Sequence, residues 1–158
     1  AVIVGGDHAH RLATDLAARE IPVVLSTGLN VTGDRDDAHD AAWSNAGVLH
    51  AAGVPVAFTT GGGASDVRNL PYHAARHWAY GLPRAMALRG VTLTPAEILG
   101  LGAELGSITP GKRADLVVAD GDILQITTRV ERMWVGGVEV EPRDNKHHRL
   151  YEEFLDRH

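Results

Sequence analysis

His73 and His77 stand four residues apart in His-Ala-Ala-Arg-His, the spacing at which two imidazoles on one helical face can share a metal ion. No glutamate of the His-Glu-x-x-His kind accompanies them, so a solvated or substrate-facing helix surface is the favoured expectation. Asp66, in Ala-Ser-Asp-Val-Arg-Asn, could ligate a metal or take part in catalysis. Ser65 and Asp66 equally suit the start of the helix that follows, and capping is the favoured role. If a metal binds within this chain, Asp66 with His73 is the expected pair. Arg68 and Arg76 could hold a substrate carboxylate through their planar forks, with His73 beside them, although surface ion pairs explain most arginines equally well.

Two further histidine pairs invite the same question. In Asp7-His8-Ala9-His10 a His-x-His pair directly follows an apolar run, and on extended backbone both rings would point toward one metal. Helical geometry from Asp7 onward would part them. With Asp7 as a plausible helix cap, that second arrangement is expected. His147 and His148 lie in a polar tail ahead of the amphipathic Leu150-Tyr-Glu-Glu-Phe-Leu155, which reads as a docking helix rather than a metal site. Gly61-Gly62-Gly63 lacks the lysine and serine of a phosphate-binding loop and reads as a tight exit from a strand. Trp43, Trp78, Trp134, Tyr72 and Tyr80 suit packing as well as ligand stacking.

These residues need elements to hold them, and apolar runs alternate with helical patterns as in βα units of a parallel sheet. Ala1–Gly5 is expected as a fully buried strand, followed by a helix from Asp7 to about Arg19. Ile21–Thr27 is a second strand. A polar connection from Gly28 to Asp40 leads to a helix near Ala41–Ala52, and Val54–Thr59 is a third strand. Helices follow near Leu70–Tyr80, Arg84–Arg89 and Pro95–Leu101. With 158 residues, 44% of them hydrophobic, the chain can bury one sizeable core but hardly two independent domains. A net charge of −5 leaves no electrostatic footprint for nucleic acid, and no run is long and apolar enough to span a membrane. The absence of cysteine removes disulfides, thiolate ligands and a cysteine nucleophile. The compartment is not legible, the cytoplasm being the default expectation.

The densest pattern is Leu93–Asp122, LTPAEILGLGAELGSITPGKRADLVVADGD. Pro110-Gly111-Lys112 is turn chemistry and is expected to separate a short strand at Ser107-Ile108 from the run Ala114–Ala119, as a hairpin. Val130–Val140 repeats the logic around Gly136-Gly137, the pair expected of a two-residue primed turn. Two such hairpins could cover one another as a small antiparallel unit.

The same stretch resembles the closing signature of the amidohydrolase superfamily, nearest the imidazolonepropionase-like branch. In that family a helix reading roughly TxNPAxxLG finishes the barrel, and G-S-[IL]-x-P-G-K-x-A-D-[LI]-V-[VL] returns the chain to a small β lobe. Matching residues are Thr94, Pro95, Ala96, Leu99, Gly100, Gly106, Ser107, Ile108, Pro110, Gly111, Lys112, Ala114, Asp115, Leu116 and Val117. The resemblance implies an α/β fold: a partial (β/α) TIM-type barrel carrying its last three βα units over 1–104, part of the β lobe over 105–142, and a C-terminal tail and helix over 143–158. It implies a divalent metal, often zinc, and hydrolysis of C–N bonds in cyclic amides, small amides or dipeptides. The family's aspartate after the last barrel strand is replaced here by glycine in Phe58-Thr-Thr-Gly-Gly-Gly63, and the histidine expected after the first strand present is replaced by Gly5-Gly6. Most metal ligands would therefore lie outside this chain. The expectation is a chain inactive alone, a homo-oligomer or a part completed by the rest of its own protein, acting on a small amide with neither nucleic acid nor membrane as partner. The alternative is a degenerate family member that binds or supports without catalysis.

Overall fold

The computed structural model describes residues 1–26, 36–63, 66–142 and 146–157, the side chain of His147 excepted. Ser65, most of the expected connection before the second long helix, and the start of the polar tail lie outside the described residues. Each β-branched run becomes a strand shorter than its apolar stretch: β1 (Ile3–Gly5), β2 (Val23–Leu25) and β3 (Val56–Phe58). All pairings are parallel, in the order β1-β2-β3. Backbone bonds extend the ladder at both ends, from Ile3 N–H to Pro22 O (3.1 Å) and from Thr59 N–H to Leu25 O (2.8 Å).

Register decides what each face carries. Ile3, Val23 and Val56 lie abreast, as do Gly5, Leu25 and Phe58, with the row Val4, Val24, Ala57 between them. Alternation sends the outer two rows to the same face. There Val23, Leu25, Val56 and Phe58 are buried against Leu16 of α1 (Ala13–Ala18), Ala46 and Leu49 of α2 (Ala41–Ala51), Ala74 of α3 (Leu70–Ala79) and Ala87 of α4 (Arg84–Gly90). Burying a side chain of this size contributes about 1.5–3 kcal/mol each. The middle row faces the other way, and Val4 is 70% exposed. Full burial of the first strand is thus corrected. β1 is an edge strand, and no wall of described residues covers its inner face.

The first helix also differs from expectation. Gly6, at φ +64°, turns the chain so closely over β2 that an added Cβ would lie 3.0 Å from Val23 Cγ1. The chain leaves this turn as a 3-10 helix over Ala9–Leu12, opened by Ala9 N–H donating to Gly6 O at 2.9 Å, and only then becomes α1. Asp7 caps neither piece, because the backbone of Gly6 already supplies the acceptor.

After α5 (Leu93–Ile98) the chain builds a second sheet, β4 (Leu116–Ala119), β5 (Val130–Val135) and β6 (Val138–Val140), an antiparallel meander. Gly136 and Gly137 both take positive φ, +59° and +83°, as a primed turn requires. The hairpin expected across Pro110-Gly111 does not form: Ser107-Ile108 is not a strand, and Ile108 is exposed. Arg113 N–H donates instead to Glu104 O at 2.9 Å, and the Lys112 ammonium bonds the carbonyls of Gly102 and Leu105. These contacts hold the segment against the end of α5 rather than beside β4. Asp115 completes the clasp, accepting from Arg113 (Nε, 2.7 Å) and from Gly136 N–H (2.7 Å), so its carboxyl is held below the usual carboxylate range.

One glycine of the signature is there for space. A Cβ on Gly106, at φ +85°, would stand 2.7 Å from Leu93 Cα and 2.8 Å from Thr92 O, both backbone atoms. Gly111, at φ +92°, has nothing within 4 Å. Gly106→Ala is expected to destabilise by more than about 2 kcal/mol, through strain plus displaced backbone, and Gly111→Ala by about 1 kcal/mol. Urea unfolding of both variants checks this; equal losses would contradict the assignment. The chain ends in α6 (Lys146–Leu155). Among the described residues no helix is long and apolar enough to cross a membrane.

Candidate functional site

Three parallel strands deliver their C-terminal ends to one side, where sheets of this kind gather binding and catalytic loops. The β1 exit is held from behind. Asn45, fully buried on α2, donates its Nδ2 hydrogens to the carbonyls of Gly6 (2.9 Å) and Asp7 (3.1 Å). Asp37, ahead of α2, then fixes the outer part of the loop: its carboxylate lies 2.9 Å from His8 Nε2 and accepts from Arg11. The carboxylate is only 7% exposed, so this pairing is better shielded than an open surface pair. His8 and His10 have ring centroids 6.3 Å apart. Burial lowers the pKa of His10 against the opposing pull of Asp37. Parting of the two rings was expected; the anchoring of His8 by Asp37 was not.

At the β3 exit, a Cβ built on Gly61 would meet Ser26 at 3.8 Å, bringing this turn beside the end of β2. Asp66 folds back over Gly63, whose added Cβ would lie 2.7 Å from Asp66 Oδ2. It heads the 3-10 turn Val67–Asn69 leading into α3, yet its carboxylate makes no capping bond. The favoured capping role of Asp66 is corrected, because its side chain turns toward the glycine turn and only its backbone carbonyl serves, accepting from Asn69 N–H at 2.7 Å.

His73 and His77 are both buried, so the solvated surface expected for them is corrected as well. Burial lowers the pKa of His73 while Asp66 pulls it upward, so the two are electrostatic neighbours. His73 Nδ1 has no hydrogen-bond partner among the described residues. His77, one turn on, stacks on Phe58 at 4.9 Å and donates Nδ1–H to Trp43 O at 2.7 Å. That bond fixes its neutral tautomer, and burial pushes its pKa down to about 4. Arg68 sits in the 3-10 turn, exposed. Arg76 lies 4.6 Å over the Trp43 ring, which Tyr80 also contacts at 4.9 Å. His148 pairs with Glu152 at 2.9 Å within α6, away from any metal-binding set.

Among the described residues no group of three or more histidines and carboxylates could hold a metal ion. Asp66 and His73 supply two donors at most. The residues present do not by themselves fit the metal that the resemblance implies.

Asn45 and Asp37 escaped the sequence reading. For Asn45 a signal existed: Ala42, Asn45, Ala46 and Leu49 form one stripe at helical spacing, and an amide inside such a stripe needs backbone to bond. Asn45→Ala would strip a donor from both loop carbonyls and is expected to cost about 1–3 kcal/mol. Chemical denaturation measures it, and a loss below about 0.5 kcal/mol would show that the loop is held by other means.

A model described as the amidohydrolase family matches residues 37–141, more than half of the chain. A putative N-acetylgalactosamine-6-phosphate deacetylase from Escherichia coli (strain K12) is 28% identical over 143 residues, 86% of this chain and 79% of that protein. An imidazolonepropionase from Sphingopyxis alaskensis is 46% identical over 52 residues, 32% of this chain and 13% of that protein. Among solved structures, an amidohydrolase from Thermotoga maritima MSB8 superposes with TM-score 0.76 and 32% identity over 89% of this chain. An adenosine deaminase from Xanthomonas campestris with bound zinc superposes with TM-score 0.65 and 23% identity over 99% of it. The chain spans only 36% of the Thermotoga protein and 42% of the deaminase.

Proposed function

The chain belongs to the amidohydrolase family, and from that premise we propose that it is the C-terminal part of a metal-dependent hydrolase cleaving C–N bonds of cyclic amides, small amides or dipeptides. Residues 1–104 are the last three βα units of the barrel, 105–142 part of the β lobe and 143–158 the tail. The observation that carries this reading is the clasp of Gly106, Lys112 and Asp115, by which the family signature joins α5 to the second sheet. Three strands are far fewer than a closed barrel takes, and the edge strand β1, with Val4 exposed, is where the remaining wall would pack.

In this proposal the preceding part of the protein, or a second copy, completes the sheet and the mouth. The ligands of a divalent metal would then lie mainly in that other part, since the described residues of this chain offer no group of three. This chain contributes Asp66 as the candidate catalytic carboxylate and Arg68 and His73 toward substrate. Arg76, set on Trp43, is not carried into that role.

A second reading has its own support: glycine stands where the family's aspartate and one of its histidines are expected, so the member could be a binding or structural subunit without catalysis. Assay of the full-length protein against lactams, small amides and dipeptides, with zinc or manganese and with a chelator, separates the two. Chelator-sensitive turnover that falls at least a hundredfold in Asp66→Ala supports the hydrolase with Asp66 in it. Metal binding without turnover of any of these substrates supports the second reading.

A further inference from the structure

We propose that the first turns of α2 form one brace for both arms of the mouth, tying the loop after β1 to the helix after β3, and that Asn45 and His77 act through it as positioning residues. That they position groups of a reaction rests on the function proposed above; the brace itself rests on contacts within this chain.

Within three residues α2 reaches in two directions. On one side Asn45 donates to Gly6 O at 2.9 Å and to Asp7 O at 3.1 Å. Gly6 O also accepts from Ala9 N–H at 2.9 Å, so the bond that closes the β1 exit turn ends on a carbonyl that Asn45 holds. On the other side Trp43 O accepts Nδ1–H of His77 at 2.7 Å. Outside that bond the Trp43 ring repeats the attachment to α3, with the Arg76 guanidinium 4.6 Å over it and the Tyr80 ring at 4.9 Å. One turn on, Gly47 brings the backbones together: an added Cβ would stand 3.2 Å from Gly81 C and 3.3 Å from Leu82 N. Close-packed contacts of this kind transmit displacement rather than absorb it.

The second arm hangs on α3. His73 lies one turn before His77, Asp66 heads the 3-10 turn that leads into the helix, and Phe58 at the end of β3 stacks on His77 at 4.9 Å. A shift of α2 would therefore carry Gly6 and Asp7 on one arm and His73 on the other. Neither Asn45 nor His77 can meet substrate, since both are fully buried. Any effect on a reaction must pass through the groups they hold.

Hydrogen exchange at the Ala9 amide reads the β1 arm, while substitution at His77, on another helix, perturbs only the far end of the brace. His77→Phe keeps a ring for Phe58 and removes the donor to Trp43 O; His77→Asn keeps a donor near the place of Nδ1. Ala9 exchange should quicken about tenfold in His77→Phe and stay near the parent rate in His77→Asn. With Asn45→Ala already present, His77→Phe should add nothing at Ala9, because the link is cut, whereas independent loosening would multiply the two effects. The reverse direction is read at Asn69, whose N–H donates to Asp66 O at 2.7 Å: Asn45→Ala should speed its exchange about tenfold. In the full-length protein His77→Phe should lower kcat about a hundredfold with KM little changed, and His77→Asn should recover most of it. Exchange at Ala9 and Asn69 that ignores the distant substitution, or effects that multiply, would overturn the brace. Altered exchange with unchanged turnover would strip Asn45 and His77 of the positioning role. A full-length protein with no turnover at all would refute the hydrolase reading and leave the exchange rates to decide the brace.

Discussion

Incubated with zinc or manganese and a range of lactams, small amides and dipeptides, the 158-residue chain is expected to give no turnover above background. The gap from a working hydrolase is on the order of a million-fold or more. Two donors, Asp66 and His73, cannot hold a catalytic metal that needs at least three protein ligands in comparable zinc sites, and no larger group exists among the described residues. Glycine occupies the position after β3 where the family resemblance expects the proton-carrying aspartate. Chelator-sensitive cleavage by the purified chain would sink this expectation and show that the mouth is complete as it stands.

A large effect on stability is expected from pH, through His77. Its ring is fully buried against Phe58, with His73 and Arg76 as the nearby groups disfavouring charge, and its folded pKa is about 4 against 6.5 for a free imidazole. The folded state therefore binds fewer protons than the unfolded chain between those values. Stability from this group is complete above about pH 6.5 and is lost as pH falls toward 4, amounting to roughly 3 kcal/mol across that window. His10 and His73, also lowered by burial, add in the same direction. Urea midpoints measured across the window should drop as pH falls, and His77→Gln should remove most of the slope while lowering stability near neutrality. A slope unchanged in that variant would assign the dependence to other groups.

Local signals were legible wherever one stretch of chain decides its own conformation. Gly136-Gly137 specified a primed turn, and α3, α4 and α5 arose close to their expected bounds, because turn chemistry and helical periodicity act over a few residues. The signature made the family visible for a related reason. Gly106 must lack a Cβ, Lys112 must reach two carbonyls and Asp115 must accept the β5–β6 turn, so several residue types are fixed within one short segment.

What could not be read depended on partners distant in sequence. His73 and His77 present a polar helix face on paper, and only the fold brings Phe58 and the Trp43 carbonyl over His77. Asp66 looked like a cap, but its carboxylate is drawn back over Gly63. Ser107-Ile108 had the composition of a strand, yet the close approach of Gly106 to Leu93 directs that segment along α5. Burial of Val4 was expected from its type alone, whereas it depends on a wall that no described part of this chain builds.

That missing wall is tested most directly by sedimentation of the chain. With β1 an edge and Val4 uncovered, an incomplete sheet predicts concentration-dependent association at low micromolar concentration, reversed when the preceding part of the protein is supplied. A well-folded monomer over the same range, unfolding cooperatively in urea, would contradict it and show that three parallel strands suffice.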